Sequence, residues 1–275
     1  MAGRDVPVPS LEIERSAAGS GARPGTVLQQ WHDNDGRLIA VGGRSAGGWW
    51  MQWPGLATFW FGEAGDVRVE TIAAADPLEI QDIFTRGVVP VVMLARGFEA
   101  LHASAVQDDA GVIALCGTSG TGKSTIALAL ASGGLHHFAD DTLVYRVADG
   151  SPLASRLPFP VRVELPARGA SRRSVSLARL EGFVSAPVRA IYHLRRDPSL
   201  DPRLPRFAEV PAARRFEVLL AHAHPCEMGG TGRRAAFLTN LLLLARTVDV
   251  HECAFAPSLT ELSTLAAAIR SHARP

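Results

Sequence analysis

The chain has 275 residues, 47% of them hydrophobic and 20% charged, enough apolar material for one large or two small packed domains. Its formal net charge is +1, and it has no run of 18 apolar residues, which sets aside nucleic acid and membrane as partners. The 28 basic residues include one lysine, Lys123; the pairs Arg172-Arg173, Arg195-Arg196, Arg214-Arg215 and Arg233-Arg234 read as solvated faces, with one pair open to a phosphate or an acidic peptide.

Residues 1 to 25 are rich in Gly, Pro, Ala and Ser, and only Leu11-Glu-Ile-Glu14 reads as a strand. No apolar signal region opens the chain, and its three cysteines, Cys116, Cys226 and Cys253, have no metal-binding spacing, so a reducing cytoplasm is expected. From Thr26 to Ile72 the apolar period is two, the mark of short strands. His32-Asp-Asn-Asp-Gly36 is a hairpin turn signal between the first two of them. All five tryptophans fall between positions 31 and 60. They either fill the core of a small sheet or form an aromatic edge that receives a peptide by strand addition. Asp76-Pro-Leu-Glu79 then caps a helix that runs to Arg96 and stops at Gly97, with an internal kink expected at Pro90.

Leu101 to Val106 alternates as a strand, and a turn at 107–111 leads into the apolar run Val112 to Cys116. Next comes Gly117-Thr-Ser-Gly-Thr-Gly122-Lys123-Ser124, a full match to G-x-x-x-x-G-K-[ST], followed by an Ala/Leu-rich helix ending at Gly133-Gly134. Strand, glycine loop and helix together make a phosphate cradle. Glycines allow close backbone approach, the helix N-terminus presents amides to phosphate oxygens, Lys123 reaches the β- and γ-phosphates, and Ser124 can ligand Mg²⁺. A point-charge ammonium suits the narrow loop better than a planar guanidinium, so the single lysine falls where chemistry requires it. The expected nucleotide-binding residues are Gly117, Ser119, Gly120, Thr121, Gly122, Lys123, Ser124 and Thr125.

Asp140 and Asp141 follow Lys123 by 17 and 18 positions, at the end of a strand that Thr142 to Val147 is expected to continue. Adjacent acids can divide the labour, one on Mg²⁺ and one on an acceptor hydroxyl. His102 lies one hairpin before the loop and reads equally as structural or functional. Beyond the acids, Asp149-Gly150 reads as a turn, Pro158 to Glu164 as a strand, Ser174 to Phe183 as a helix, and Arg189 to Leu194 as a strand. Arg162 points either at a phosphate or into solvent. A charged loop at 195–206 is a candidate substrate lip. Helices are expected at Ala212 to Ala223 and Ala235 to Arg246, a strand at Val248 to Phe255, and a last helix opened by a capping box at Ser258-Leu-Thr-Glu261. His136, His137, His222 and His224 lack a consistent ligand spacing for a metal site.

Three pieces in order resemble the HPr kinase/phosphorylase group: His102-Ala-Ser-Ala-Val106, the loop Gly117 to Ser124, and the Asp140-Asp141 pair soon after the lysine. The P-loop fold of that group resembles phosphoenolpyruvate carboxykinase. The whole layout is similar to HPr-kinase-like proteins found beside ribosomal peptide clusters, lasso peptide clusters included. The resemblance implies an α/β (α+β) P-loop kinase domain at 99–275, preceded by an aromatic-rich β region with a linking helix at 1–98. It also implies ATP phosphates on Gly120, Gly122 and Lys123, Mg²⁺ on Ser124 with Asp141, Asp140 as the base toward a serine hydroxyl, and His102 near the γ-phosphate. The roles of the two acids remain interchangeable at this level. Thr125 stands where bifunctional members carry Glu, and no clear counterpart of their later signature loop is found, which counts against phosphorylase activity and against HPr as substrate and leaves dephosphorylation open. The expectation is an ATP- and Mg²⁺-dependent kinase acting on a peptide or small protein. A kinase of a free hydroxyl metabolite and an ATP-switched binding protein are the alternatives, and assembly into a homo-oligomer stays open.

Overall fold

A computed structural model describes residues 9–15, 25–33, 35–157, 161–163, 173–175, 185–225, 227–228 and 232–274. Two compact units form: one comprises Glu99–His224 and Leu238–Pro275, and the other Arg4–Phe98 and Pro225–Phe237.

The second of these is built on a six-stranded sheet. Its strands are β1 (Leu11–Arg15), β2 (Thr26–His32), β3 (Leu38–Ser45), β4 (Gly48–Trp53), β5 (Ala57–Phe61) and β6 (Val67–Thr71), in the order β1-β6-β5-β4-β3-β2. The ladders are antiparallel except for β1, which adds parallel to β6. Trp49, Trp50 and Phe59 are buried, so two of the three tryptophans of β4 fill the core, while Trp31, Trp53 and Trp60 are half-buried. Glycines in β3 make room for them. A Cβ on Gly43 would lie 2.5 Å from the Trp50 ring and 2.2 Å from the Thr26 carbonyl oxygen, so the indole lies flat on bare backbone.

The expected helix divides into three pieces: α1 (Pro77–Ile83), a π-helical turn (Phe84–Val88) and α2 (Val89–Ala95). Asp76 caps α1 through Leu78 N at 3.0 Å. Pro90 lacks an N–H and crowds the preceding turn, and the π turn is how the helix absorbs it. Gly97, at φ +89°, ends α2, with Phe98 N bonded to Met93 O at 3.0 Å. The buried Arg233 guanidinium donates to the carbonyls of Leu94 and Phe98 at 3.1 and 2.7 Å, closing that helix end. Arg233 is thus buried, where the pair Arg233-Arg234 implied a solvated face.

The other unit carries a nine-stranded sheet. Its strands are β7 (Glu99–Leu101), β8 (Ala103–Asp108), β9 (Gly111–Cys116), β10 (His136–Ala139), β11 (Leu143–Ala148), β12 (Ser151–Ser155), β15 (Ser185–Arg196), β16 (Arg206–Glu209) and β17 (Asp249–Phe255). β13 (Val161–Val163) and β14 (Arg173–Val175) form a separate pair. Ser174 and Val175 are therefore strand and not the expected helix; residues 176–183 and the Arg162 side chain lie outside the described residues. Four helices complete the chain order: α3 (Lys123–Ser132), α4 (Ala212–Leu220), α5 (Arg233–Thr247) and α6 (Leu262–His272). α6 starts later than the capping box implies. Ser258 Oγ does accept from Glu261 N at 3.3 Å, but the helix proper begins one residue beyond that bond.

β15 is the axis of this sheet. It pairs in parallel with β9 on one side and β17 on the other, and its first residues pair antiparallel with β12. α3 and α6 cover one face, where Ile113, Leu115, Ile126, Leu130, Tyr192 and Ile269 form a continuous core. Cys116 and Cys253 are buried free thiols, each pushed up to about 12 by burial. No helix among the described residues is long and apolar enough to cross a membrane.

Candidate phosphate-binding site

Two stretches expected as continuous strands are broken, and the breaks make the site. β8 pairs with β9 and β10, whereas β7 pairs with β11. The chain changes ladder at His102 on the way in and at Asp140-Asp141 on the way back. Residues at such a change lose their ladder partners and must find others. His102 N donates to His222 O at 2.7 Å, and Thr142 N donates to Asp140 O at 2.8 Å. Asp141 takes φ +67°, a left-handed conformation that is costly for a residue with a Cβ. The jog turns these side chains toward the end of β9, where the glycine loop begins.

The loop itself runs from Gly117 to Gly122, and Lys123 opens α3. Gly120 and Gly122 have φ +78° and +108°, which only glycine adopts freely. Gly117 leaves a side chain little room, since a Cβ would lie 3.2 Å from Leu194 O. Ser119 is exposed, and Ser124 and Thr125 are half-buried. Thr121 is buried, and its hydroxyl is turned inward, donating to Thr118 O at 2.7 Å. That side chain braces the loop from within, and its hydroxyl is turned away from solvent.

Lys123 is only 7% exposed, and all three of its donors are used. Nζ donates to Gly117 O at 2.9 Å, Thr118 O at 3.2 Å and His102 Nε2 at 3.0 Å. Burial pushes the pKa of this ammonium down, while Asp141, Cys116 and Asp140 pull it back up. An ammonium can only donate, so His102 Nε2 accepts and the ring proton sits on Nδ1. Nδ1 in turn faces Asp141 O at 3.1 Å and Asp141 Oδ1 at 3.3 Å. His102 thus joins the loop lysine to the second acid.

The two acids differ in burial. Asp140 is 4% exposed, while the Asp141 side chain is 71% exposed. Ser104 Oγ donates to Asp140 Oδ1 at 3.1 Å and lies 3.3 Å from Ser124 Oγ. With its own proton on Asp140, Ser104 accepts from Ser124, so the hydroxyls form a chain from the loop to the buried acid. Ser104 was only one letter of a strand pattern in the sequence; its position two residues after His102 on β8 was the available signal.

Histidines line the remaining side. His224 N donates to Ala100 O at 2.9 Å, so the stretch after α4 lies along β7 as a short bridge and not as the helix expected to Ala223. This brings the His224 ring to 5.7 Å from His102 and the His222 ring to 5.1 Å from His193. Burial is the main cause pushing His222 down to about 4, helped by His193, and it also lowers His193 and His224. These imidazoles are neutral at pH 7. Among the described residues no group of three or more His, Cys, Asp or Glu side chains is arranged to hold a metal ion. Ser124 with a neighbouring carboxylate is still a fitting donor set for Mg²⁺, which takes one or two protein oxygens and completes its shell with phosphates and water.

Glycine loop, ladder breaks and parallel β9–β15 pair define a mixed α/β fold of the P-loop class. No protein-family model matches the sequence, and no curated protein does. Among solved structures the chain is similar to the HPr(Ser) kinase/phosphatase from Coxiella burnetii, with a TM-score of 0.35 and 14% identity over 63% of this chain and 95% of that one.

Proposed function

We propose that this chain is an ATP- and Mg²⁺-dependent kinase that transfers the γ-phosphate to a hydroxyl, most simply that of a serine on a peptide or small protein. The observation that carries the reading is the convergence of Lys123, Ser124, Asp140 and Asp141 at one end of β9, joined through Ser104 and His102. Loop amides and Lys123 would hold the β- and γ-phosphates.

For the acids we favour the reverse of the assignment that family resemblance implies. Asp140 is buried and linked to Ser124 through Ser104, which suits the metal side. Asp141 is exposed and leans on His102, which suits a base meeting an acceptor from solvent. In the transfer, Asp141 takes the hydroxyl proton as the acceptor oxygen bonds to the γ-phosphorus and the bond to the ADP oxygen breaks. When bound, Mg²⁺ supplies charge neutralisation on the phosphate oxygens. His102 Nδ1–H orients the Asp141 carboxylate.

A peptide acceptor is supported by β2, which stands at one end of its sheet and, among the described residues, pairs with no strand other than β3, the position at which peptides add by strand augmentation. The burial of Trp49 and Trp50 removes those two rings from any aromatic docking face. The test mixes the full chain with Mg²⁺, ATP labelled on the γ-phosphate, and separate pools of serine peptides and of free hydroxyl metabolites, read by intact mass. A gain of about 80 Da on a peptide subset, absent with Asp141→Asn, supports the reading. Transfer only to a metabolite moves the acceptor, and ATP binding without transfer to either pool points to an ATP switch and overturns the kinase.

A further inference from the structure

Arg195 and Arg196 end β15 as an undifferentiated pair in the sequence, and the fold gives them opposite surroundings. Strand alternation sends them to opposite faces. Arg195 Nε meets Glu252 Oε1 at 3.0 Å, and its Nη1 meets Asp197 Oδ2 at 3.4 Å, so its charge is matched. Arg196 lies on the face shared by Tyr192 and Leu194, which α3 covers. Its Nε donates to Thr121 O at 3.1 Å, and one terminal nitrogen is 3.9 Å from where a Cβ on Gly122 would be. Among the described residues Arg196 has no carboxylate partner.

This placement is electrostatically adverse without an anion. The guanidinium sits against the last loop residues before the N-terminus of α3, the positive end of the helix, and shares the loop with the buried Lys123 ammonium. The bond from Nε to Thr121 O fixes the guanidinium plane, leaving both terminal nitrogens to donate elsewhere. β15 runs parallel to β9, so its carboxyl end lies beside the glycine loop, where ligands of parallel α/β sheets bind.

We propose that Arg196 is a nucleotide-binding residue, supplying a second cation to the polyphosphate from the neighbouring strand while Lys123 supplies the first. This rests on the phosphate-site reading above and adds to it a contact outside the glycine motif. The terminal nitrogens donate to non-bridging phosphate oxygens, and the contact is blind to the base. Arg195 takes no part.

The experiment is calorimetric titration of the full chain with ATP and with inorganic tripolyphosphate, using wild type, Arg196→Ala, Arg196→Lys and Arg195→Ala, alongside thermal melts without ligand. The wild-type titration comes first. If neither ligand binds, the phosphate-site reading itself fails and this assignment falls with it. Where wild type binds, Arg196→Ala is expected to weaken both ligands by roughly tenfold or more, a charge-assisted hydrogen bond's worth. Arg196→Lys recovers part of that loss, and Arg195→Ala binds as wild type. Unchanged affinity in Arg196→Ala overturns the proposal. So does a loss for ATP but not for tripolyphosphate, which would place the guanidinium on the base. A lowered melting temperature with no recovery in Arg196→Lys would make it a brace for Thr121, which also overturns it.

Discussion

Around the glycine loop, Ser104, Lys123 and Asp140 are buried and hydrogen-bonded to one another's neighbours. In the tryptophan-rich sheet, by contrast, the indole nitrogens of Trp49, Trp50 and Trp60 are buried without an acceptor among the described residues. An unbonded buried N–H costs about 1–3 kcal/mol. Burying the 150–250 Å² of such a ring returns roughly 4–6 kcal/mol at about 25 cal/mol per Å². Volume wins in that sheet, so its aromatics need no polar partner to be explained. At the site the balance is different: the side chains of Ser104, Lys123 and Asp140 bury little apolar area, and each is held by hydrogen bonds. Polar burial beside the glycine loop reads as function, and aromatic burial in the first sheet reads as structure.

The contrast predicts where mutations act. Trp50→Ala is expected to destabilise its unit by about 3–5 kcal/mol in denaturant unfolding while leaving nucleotide affinity unchanged; a loss of affinity in the folded protein would break the division. Lys123→Met should do the converse. Phosphoryl transfer should fall at least about 10²–10³-fold, as for removal of one transition-state donor, with little change in melting temperature.

Acid should act on the site unit. His137 and His222 are each pushed down to about 4 by burial, below the ordinary imidazole value of 6.5. Between those values the unfolded chain binds protons that the folded chain refuses. The stability these groups contribute is whole above pH 6.5 and is lost as pH falls toward 4, by roughly 2 kcal/mol each near pH 4.5. Circular dichroism melts across pH 7 to 4.5 check this, and His222→Gln should flatten the slope.

Ser104→Ala removes the link between Ser124 and the buried acid. Its expected effect is about a tenfold rise in the Mg²⁺ needed for half-maximal activity, the usual scale for an outer partner of a metal ligand. Smallest of all, Cys116 and Cys253, pushed up to about 12 by burial, should resist thiol reagents in the native protein at pH 8. Mass spectrometry after brief alkylation shows this.

Much of the site was legible in advance because its signal is local. The loop motif, the strand before it and the helix after it occupy one stretch, and glycine at positive φ is a residue-level requirement. The ladder breaks were not legible. Leu101 to Val106 and Leu135 to Val147 alternate as unbroken strands would, and nothing in their pattern marks His102 or Asp141 as the place where pairing changes partner. The pairing is set by residues as distant as Ala223 and Cys116. Arg195 and Arg196 were inseparable for the same reason: only the neighbouring strands tell which face is acidic. The kink at Pro90 was readable, but the π turn it produces depends on how the helix is held at both ends.

Lys123 is the one ε-amine in the sequence. It is also buried and triply bonded. Apart from the chain terminus, every amine-directed reagent therefore has a single address on this protein. An acyl or carbamoyl group that appears on a side-chain amine reports exposure of Lys123, and under conditions where the unit stays folded the rate at which it appears is a clock for the opening of the glycine loop. A ligand that closes the loop stops the clock, so the chain carries a built-in occupancy probe that needs no engineered label.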